Sequence, residues 1–184
     1  GNLRIATTVS IWLKERVQYN NVYVLNGMMQ TIGKIENIAE DEQIFSARFI
    51  GDRLYMVTFE TVDPFFVIDL SNPRQPEVLG ELKLPGFSNY LHPYDENHII
   101  GIGRDTKETS WGFTTEGIKI ALFDVSDVSA PRLVDSYVIG GQGSDSAALH
   151  DHKAFLFSES KGIMVLPITE VTERDARYVR NIWH

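Results

Sequence analysis

Four of the five histidines in this chain fall in two short phrases, His92 and His98 in LHPYDENH, and His150 and His152 in LHDH. Imidazole titrates nearest neutrality of all side chains and is the commonest metal ligand. With Asp95, Glu96 and Asp151 beside them, these phrases hold the inventory for a divalent-ion site or an acid/base pair. An inventory is not a motif. Neither His-x-His nor a five-residue gap between histidines on strands and loops is a specific metal pattern. His92-Pro93-Tyr94-Asp95 also reads as an ordinary turn, Pro presetting the bend and Asp closing it. The residues singled out as ligand contacts are His92, Asp95 and His150, together with Trp111. No nucleophile stands beside a partnered base, so no catalytic residue, metal-ligand set or cofactor is assigned.

Composition narrows the chemistry further. The chain of 184 residues has no cysteine, which removes disulfides, zinc-thiolate sites and thiol nucleophiles. With 25 acidic against 17 basic residues, net charge −8 and scattered Lys and Arg, it is unsuited to nucleic acid, whose phosphates call for clustered bases. No run approaches membrane-spanning length and no signal peptide is read, and in a chain that opens inside a repeat neither absence describes the parent protein.

The elements that must position these residues are strands. Phe45 to Gly86 holds four apolar runs rich in β-branched and aromatic residues: Ala47 to Ile50, Leu54 to Phe59, Phe65 to Leu70 and Val78 to Leu82. Gly51-Asp52, Ser71-Asn72-Pro73 and Pro76 punctuate them. The unit then recurs, with Ser88 to Gly103 replacing the first two strands and Gly117 to Ile139 the last two, so that Asp69-Leu70-Ser71 matches Asp124-Val125-Ser126 and Pro76 matches Pro131. A third copy begins at Ser146 to His152 and continues through Lys153 to Phe157 and Gly162 to Ile168. A partial copy precedes, Leu3 to Thr8 standing for Leu54 to Thr58 and Val22 to Leu25 for Val67 to Leu70.

Four-stranded units of this period are the pattern of β-propeller blades. A blade buries both faces only between neighbours, which accounts for strands such as Tyr55-Met56-Val57 that are apolar at successive positions. The fold expected is all-β, one propeller domain over residues 1–184, as a partial arc of about three to four four-stranded blades. About fourteen strands are countable where a closed four-bladed ring needs about sixteen. The chain is therefore expected to be an arc of a larger propeller, with open edges that favour self-association unless a partner covers them. A sandwich or open meander is the competing fold.

In this frame His92 and His150 take the same place in the first strand of successive blades, where the complete unit has Ile50. First strands line the central channel, so the two imidazoles are expected to approach near the axis. Asp69 and Asp124 read as turn-fixing residues, each accepting hydrogen bonds from the backbone two residues on. Asn26-Gly27 is a tight-turn signal. Ser10 to Asn20 reads as a long hairpin whose Trp12 packs on a neighbour or anchors a partner, the former preferred. The polar insert Arg104 to Glu116 lengthens another hairpin, where Trp111 and Phe113 serve equally well as binding anchors or as a flap over the adjacent blade. Ile38 to Gln43 and Gly140 to Gly143 read as connectors between blades. For the tail from Thr169, a helical turn and a strand at Arg177 to Trp183 both stay open.

VDPFFVIDLS, YLHPYDENH and IALFDVSDVS, within a likeness running from Leu3 to Ile168, resemble the bacterial and archaeal family of secreted proteins with a C-terminal β-propeller domain, distantly similar to WD-repeats. That resemblance implies an extracellular or cell-surface location and a parent propeller longer than this chain. It supplies no catalytic residues. The function expected is a non-catalytic binding or scaffolding module, contacting a protein or polymer through its loops or channel. The alternative is a metal-assisted hydrolase or lactonase, with His92 and His150 converging on a divalent ion.

Overall fold

The computed structural model describes residues 1–12, 16–59, 63–110, 112–172 and 180–183, and no α-helix occurs among them. A three-stranded sheet comes first: β1 (Leu3–Trp12), β2 (Arg16–Leu25) and β3 (Thr31–Ile38). Two four-stranded meanders follow. One is β4 (Gln43–Ile50), β5 (Arg53–Phe59), β6 (Asp63–Asp69) and β7 (Glu77–Leu84). The other is β8 (Phe87–Pro93), β9 (His98–Thr109), β10 (Gly112–Asp124) and β11 (Arg132–Ile139). All neighbours within a sheet are antiparallel and in chain order. β5 and β9, the corresponding second strands, lie in different sheets, as the repeat requires.

The sheets stack face to face, and three apolar layers hold them. Val22 and Val24 of β2 meet Leu54, Met56 and Ile68 in one layer. Tyr55, Val57, Phe65 and Val67 meet Leu91, Ala121 and Phe123 in the next. Alternate residues of β5 thus serve opposite neighbours, which is why its run is apolar at every position. The third layer joins Ile100, Ile102 and Ile118 to Leu149, Phe155, Leu166 and Ile168. β4 runs alongside β8, so the first strands of the two complete sheets lie together at one edge of the stack.

The turns follow the expected chemistry. Asp69 accepts from the Ser71 amide at 3.1 Å and its hydroxyl at 2.7 Å, and Asp124 from the Ser126 amide at 2.9 Å. Asn26, by contrast, spans a longer loop: its side chain accepts from the Met28 and Gln30 amides, and Met29 rather than Gly27 takes positive φ. The link after Ile38 is held by buried Asn20, whose amide nitrogen donates to the carbonyls of Ile38, Ala39 and Glu42 at 3.0–3.3 Å.

The last sheet departs from the expected copy. Asp145 starts its first strand by bridging to Thr169, but the chain then leaves the sheet in two 3₁₀ turns, Ala147–Leu149 and His152–Ala154. The same edge resumes as β12 (Leu156–Ser158), paired with β13 (Ile163–Val165), while β14 (Pro167–Glu170) pairs with β15 (Arg180–Trp183). Of Lys153 to Phe157, only Leu156 and Phe157 lie in a strand, β12, on the same side of the chain's return as the Asp145 bridge. Gly162 to Ile168 belongs to the second strand, and β15 is the third. The excursion has a local cause: the Ser146 hydroxyl and the Asp151 carboxylate each accept an amide two residues on, capping a turn in place of extending a strand.

Candidate functional site

His92 lies on β8, opposite Ile100. Its Nδ1 is 3.0 Å from the Tyr90 hydroxyl, and Phe155 and Phe157 meet the ring edge-on at centroid distances of 5.0 and 5.3 Å. Burial, with a smaller contribution from the Arg48 guanidinium, pushes its pKa below the ordinary histidine value. The imidazole is thus neutral at neutral pH, one wall of an aromatic cluster.

The expected equivalence of His92 with Ile50 does not hold. Leu54 and Ile99 correspond, and they pair with Phe49 and Pro93, so His92 matches Arg48. The loop after β8 is longer than the Gly51-Asp52 turn, which displaces the count. His150 is not on a strand at all. It closes the first 3₁₀ turn, its amide donating to the Ala147 carbonyl, and its side chain is exposed. Among the described residues no three His, Asp or Glu side chains are grouped to hold a metal.

Asp95 works within its own turn. It accepts from the Asn97 amide at 2.7 Å, and both its oxygens lie 2.9 Å from His98 Nδ1. Burial alone would raise its pKa, but the Asn97 amide and His98 outweigh that and hold it below the usual carboxylate value. Trp111 lies outside the described residues. Its neighbour Phe113 packs edge-on against Phe59 of the preceding sheet at 4.9 Å, so the β9–β10 hairpin reaches over that sheet as a flap. Trp12, the last residue of β1, is 78% exposed, which leaves little of the side chain for the packing on an adjacent hairpin that was preferred.

What the structure brings together is a pair of adjoining clefts. They lie where the turn after β8 faces the hairpin of β12 and β13. One, of about 350 Å³, has an apolar floor that includes Ile120 and Leu122, aromatic walls from Tyr94, Tyr137 and Phe157, and Asp135 and Glu159 at its rim. The other adds Asp95, Glu96 and Asn97, and shares Tyr94, Phe157 and Glu159 with the first. Tyr94 and Phe157 stand 5.4 Å apart between ring centroids. Of the expected contact residues that are described, Asp95 lines these clefts and His92 and His150 do not, while His92 backs them through Phe157. Tyr94 was visible beside His92. Phe157, Glu159, Asp135 and Tyr137 come from other sheets or strands, and nothing in their local sequence marks them.

Sheets fanned face to face, with first strands at the inner edge, define a β-propeller, here an open arc with two complete blades. The chain belongs to the family of beta propeller domains, which it matches over residues 1–183. It is 42% identical over 167 residues to an uncharacterized protein of Methanocaldococcus jannaschii and 44% identical over 168 residues to one of Archaeoglobus fulgidus. Each match covers 91% of this chain but 25% and 24% of the respective relative, so the chain spans about a quarter of their length. Among the described residues no helix is long and apolar enough to cross a membrane.

Proposed function

We propose that this chain is a non-catalytic ligand-binding and scaffolding part of a larger propeller, displayed outside the cell or on its surface. The observation that carries the binding reading is the pair of clefts joined along Tyr94, Phe157 and Glu159. Concave sites with apolar floors and a few converging polar groups are the usual form of ligand pockets, and about 300–1,000 Å³ is their usual size. The rigid stack of sheets supplies a fixed frame for loops from different blades. The likeness to secreted propeller proteins supports the location, and a chain spanning a quarter of its relatives supports the view of it as one part of a longer polypeptide.

Two experiments test this. In thermal-shift titrations of the full-length protein against small cationic, neutral and anionic ligands and oligosaccharides, at least one compound raises Tm, and Tyr94→Ala abolishes that rise. Silence across all four classes contradicts the binding reading. Protease treatment of intact cells cleaves an epitope-tagged protein if it is surface-displayed; full protection until lysis removes the location.

A further inference from the structure

Asn26-Gly27, between β2 and β3, is the one Asn-Gly pair in the chain, and such a pair carries a reaction of its own. The Gly27 amide nitrogen can add to the side-chain carbonyl carbon of Asn26, because glycine has no Cβ to crowd the approach. A bond forms between that nitrogen and Cγ, the Cγ–Nδ2 bond breaks, and ammonia leaves behind a five-membered succinimide. Water then opens the ring at either carbonyl, giving aspartate or isoaspartate. Isoaspartate routes the main chain through the former side chain and lengthens it by one methylene. No other reactant is needed.

The loop ties down the groups that this closure has to move. The Asn26 amide donates to the Gln30 carbonyl, and the Asn26 carbonyl accepts from the Met29 amide, both at 2.9 Å. On the side chain, Oδ1 accepts from the amides of Met28 and Gln30 at 2.9 and 3.0 Å, while Nδ2 donates to the Gln30 side-chain oxygen at 3.1 Å. Asn26 thus prolongs the ladder of β2 and β3, and in an extended backbone, with ψ near about +135°, the following nitrogen is turned away from the side chain. Ring closure requires the peptide between residues 26 and 27 to swing until its nitrogen lies against Cγ. The peptide is planar, so its carbonyl oxygen swings with it and leaves the Met29 amide.

The reaction therefore proceeds from an opened loop, and its rate follows the population of that open form. We infer that Asn26 is a latent modification site, deamidating to aspartate and isoaspartate, which the folded β2–β3 loop suppresses with Gln30 as its positioning residue. Either product alters the loop for good. Aspartate sets a carboxylate oxygen against the Gln30 side-chain oxygen where Nδ2 had donated, and isoaspartate adds its methylene inside the hydrogen-bonded loop. An opening event is thereby recorded in covalent form.

The test incubates the full-length protein at mildly alkaline pH, native and in guanidinium chloride, and follows position 26 by peptide mapping and mass spectrometry. The unfolded chain accumulates both products, and the native protein does so at least about tenfold more slowly. Gly27→Ala suppresses the reaction in the unfolded chain. Gln30→Ala speeds the native reaction several-fold while leaving Tm and the unfolded rate unmoved, a split that general destabilisation would not give. Equal native and unfolded rates overturn the suppression by the loop. A native rate indifferent to Gln30→Ala overturns the part given to Gln30, and an unfolded chain that stays intact at position 26 overturns the site itself.

Discussion

Phe65 and Phe123, on the third strands of neighbouring blades, stack with ring centroids 4.5 Å apart and planes inclined by 11°. Both are almost wholly buried, and together they form part of the layer that joins the two complete sheets. Phe65→Ala is expected to cost about 3–5 kcal/mol, the range for a large aromatic removed from a packed core. A double-mutant cycle with Phe123→Ala in urea unfolding should show coupling, because the rings are in contact. Strict additivity would mean that the two sheets do not share one core.

The turn after β10 docks on β7 at Gly80, where a Cβ would run into the Val128 carbonyl oxygen with Pro131 beside it, and this contact between blades gives a second test. Gly80→Ala forces a methyl against a backbone carbonyl and is expected to destabilise by about 1–3 kcal/mol. Gly27, with no heavy atom within 4 Å of a Cβ there, serves as the control, and Gly27→Ala should change stability by no more than about 0.5 kcal/mol. Equal effects of the two in chemical denaturation would remove the docking turn from the account.

His92 predicts an acid-side loss of stability. Its folded pKa lies below the ordinary value of about 6.5, so between those two values the unfolded chain binds more protons. The stability it confers is complete above pH about 6.5 and falls as the pH drops through that value toward the folded pKa. His92→Gln should flatten the Tm profile in this window. An unchanged profile contradicts the buried neutral imidazole.

Asp124 governs a lower window. The Ser126 hydroxyl and amide, then the Arg132 guanidinium at 2.6–3.0 Å, hold its carboxyl far below the usual range. Its contribution is complete above the unfolded value of about 3.9 and is lost as pH falls below it. Asp124→Asn should lower Tm at neutral pH and weaken the dependence between pH 4 and 2. A variant whose acid limb matches the parent would show that the turn does not depend on the charge.

The two complete blades were legible because turn chemistry bounds every apolar run: Gly51-Asp52 and Ser71-Asn72-Pro73 stop the chain where β4 and β6 end. The same reading failed after Ser146. Apolar spacing counts runs, and it does not separate a strand from two side-chain-capped turns that leave a sheet and rejoin it. His92 was placed two positions from its true counterpart because a longer loop preserves the pattern but shifts the ladder. That Asp135 stands opposite Leu122 as Gly80 stands opposite Val67 was within reach, since matching Pro76 to Pro131 carries Gly80 onto it. The meeting of Tyr94 with Phe157 was not, since it is fixed by packing between sheets.

The central claim, that the two complete sheets close on one another over a shared buried layer, can be measured through single thiols, since the chain has no cysteine of its own. Val67→Cys, within that layer, and Val78→Cys, 41% exposed on β7, are compared for their rates of maleimide labelling in the native state. The account predicts that the thiol at position 78 reacts nearly as fast as in unfolded protein while the thiol at 67 is strongly protected. Equal rates at the two positions would show that the sheets do not pack face to face and would contradict it.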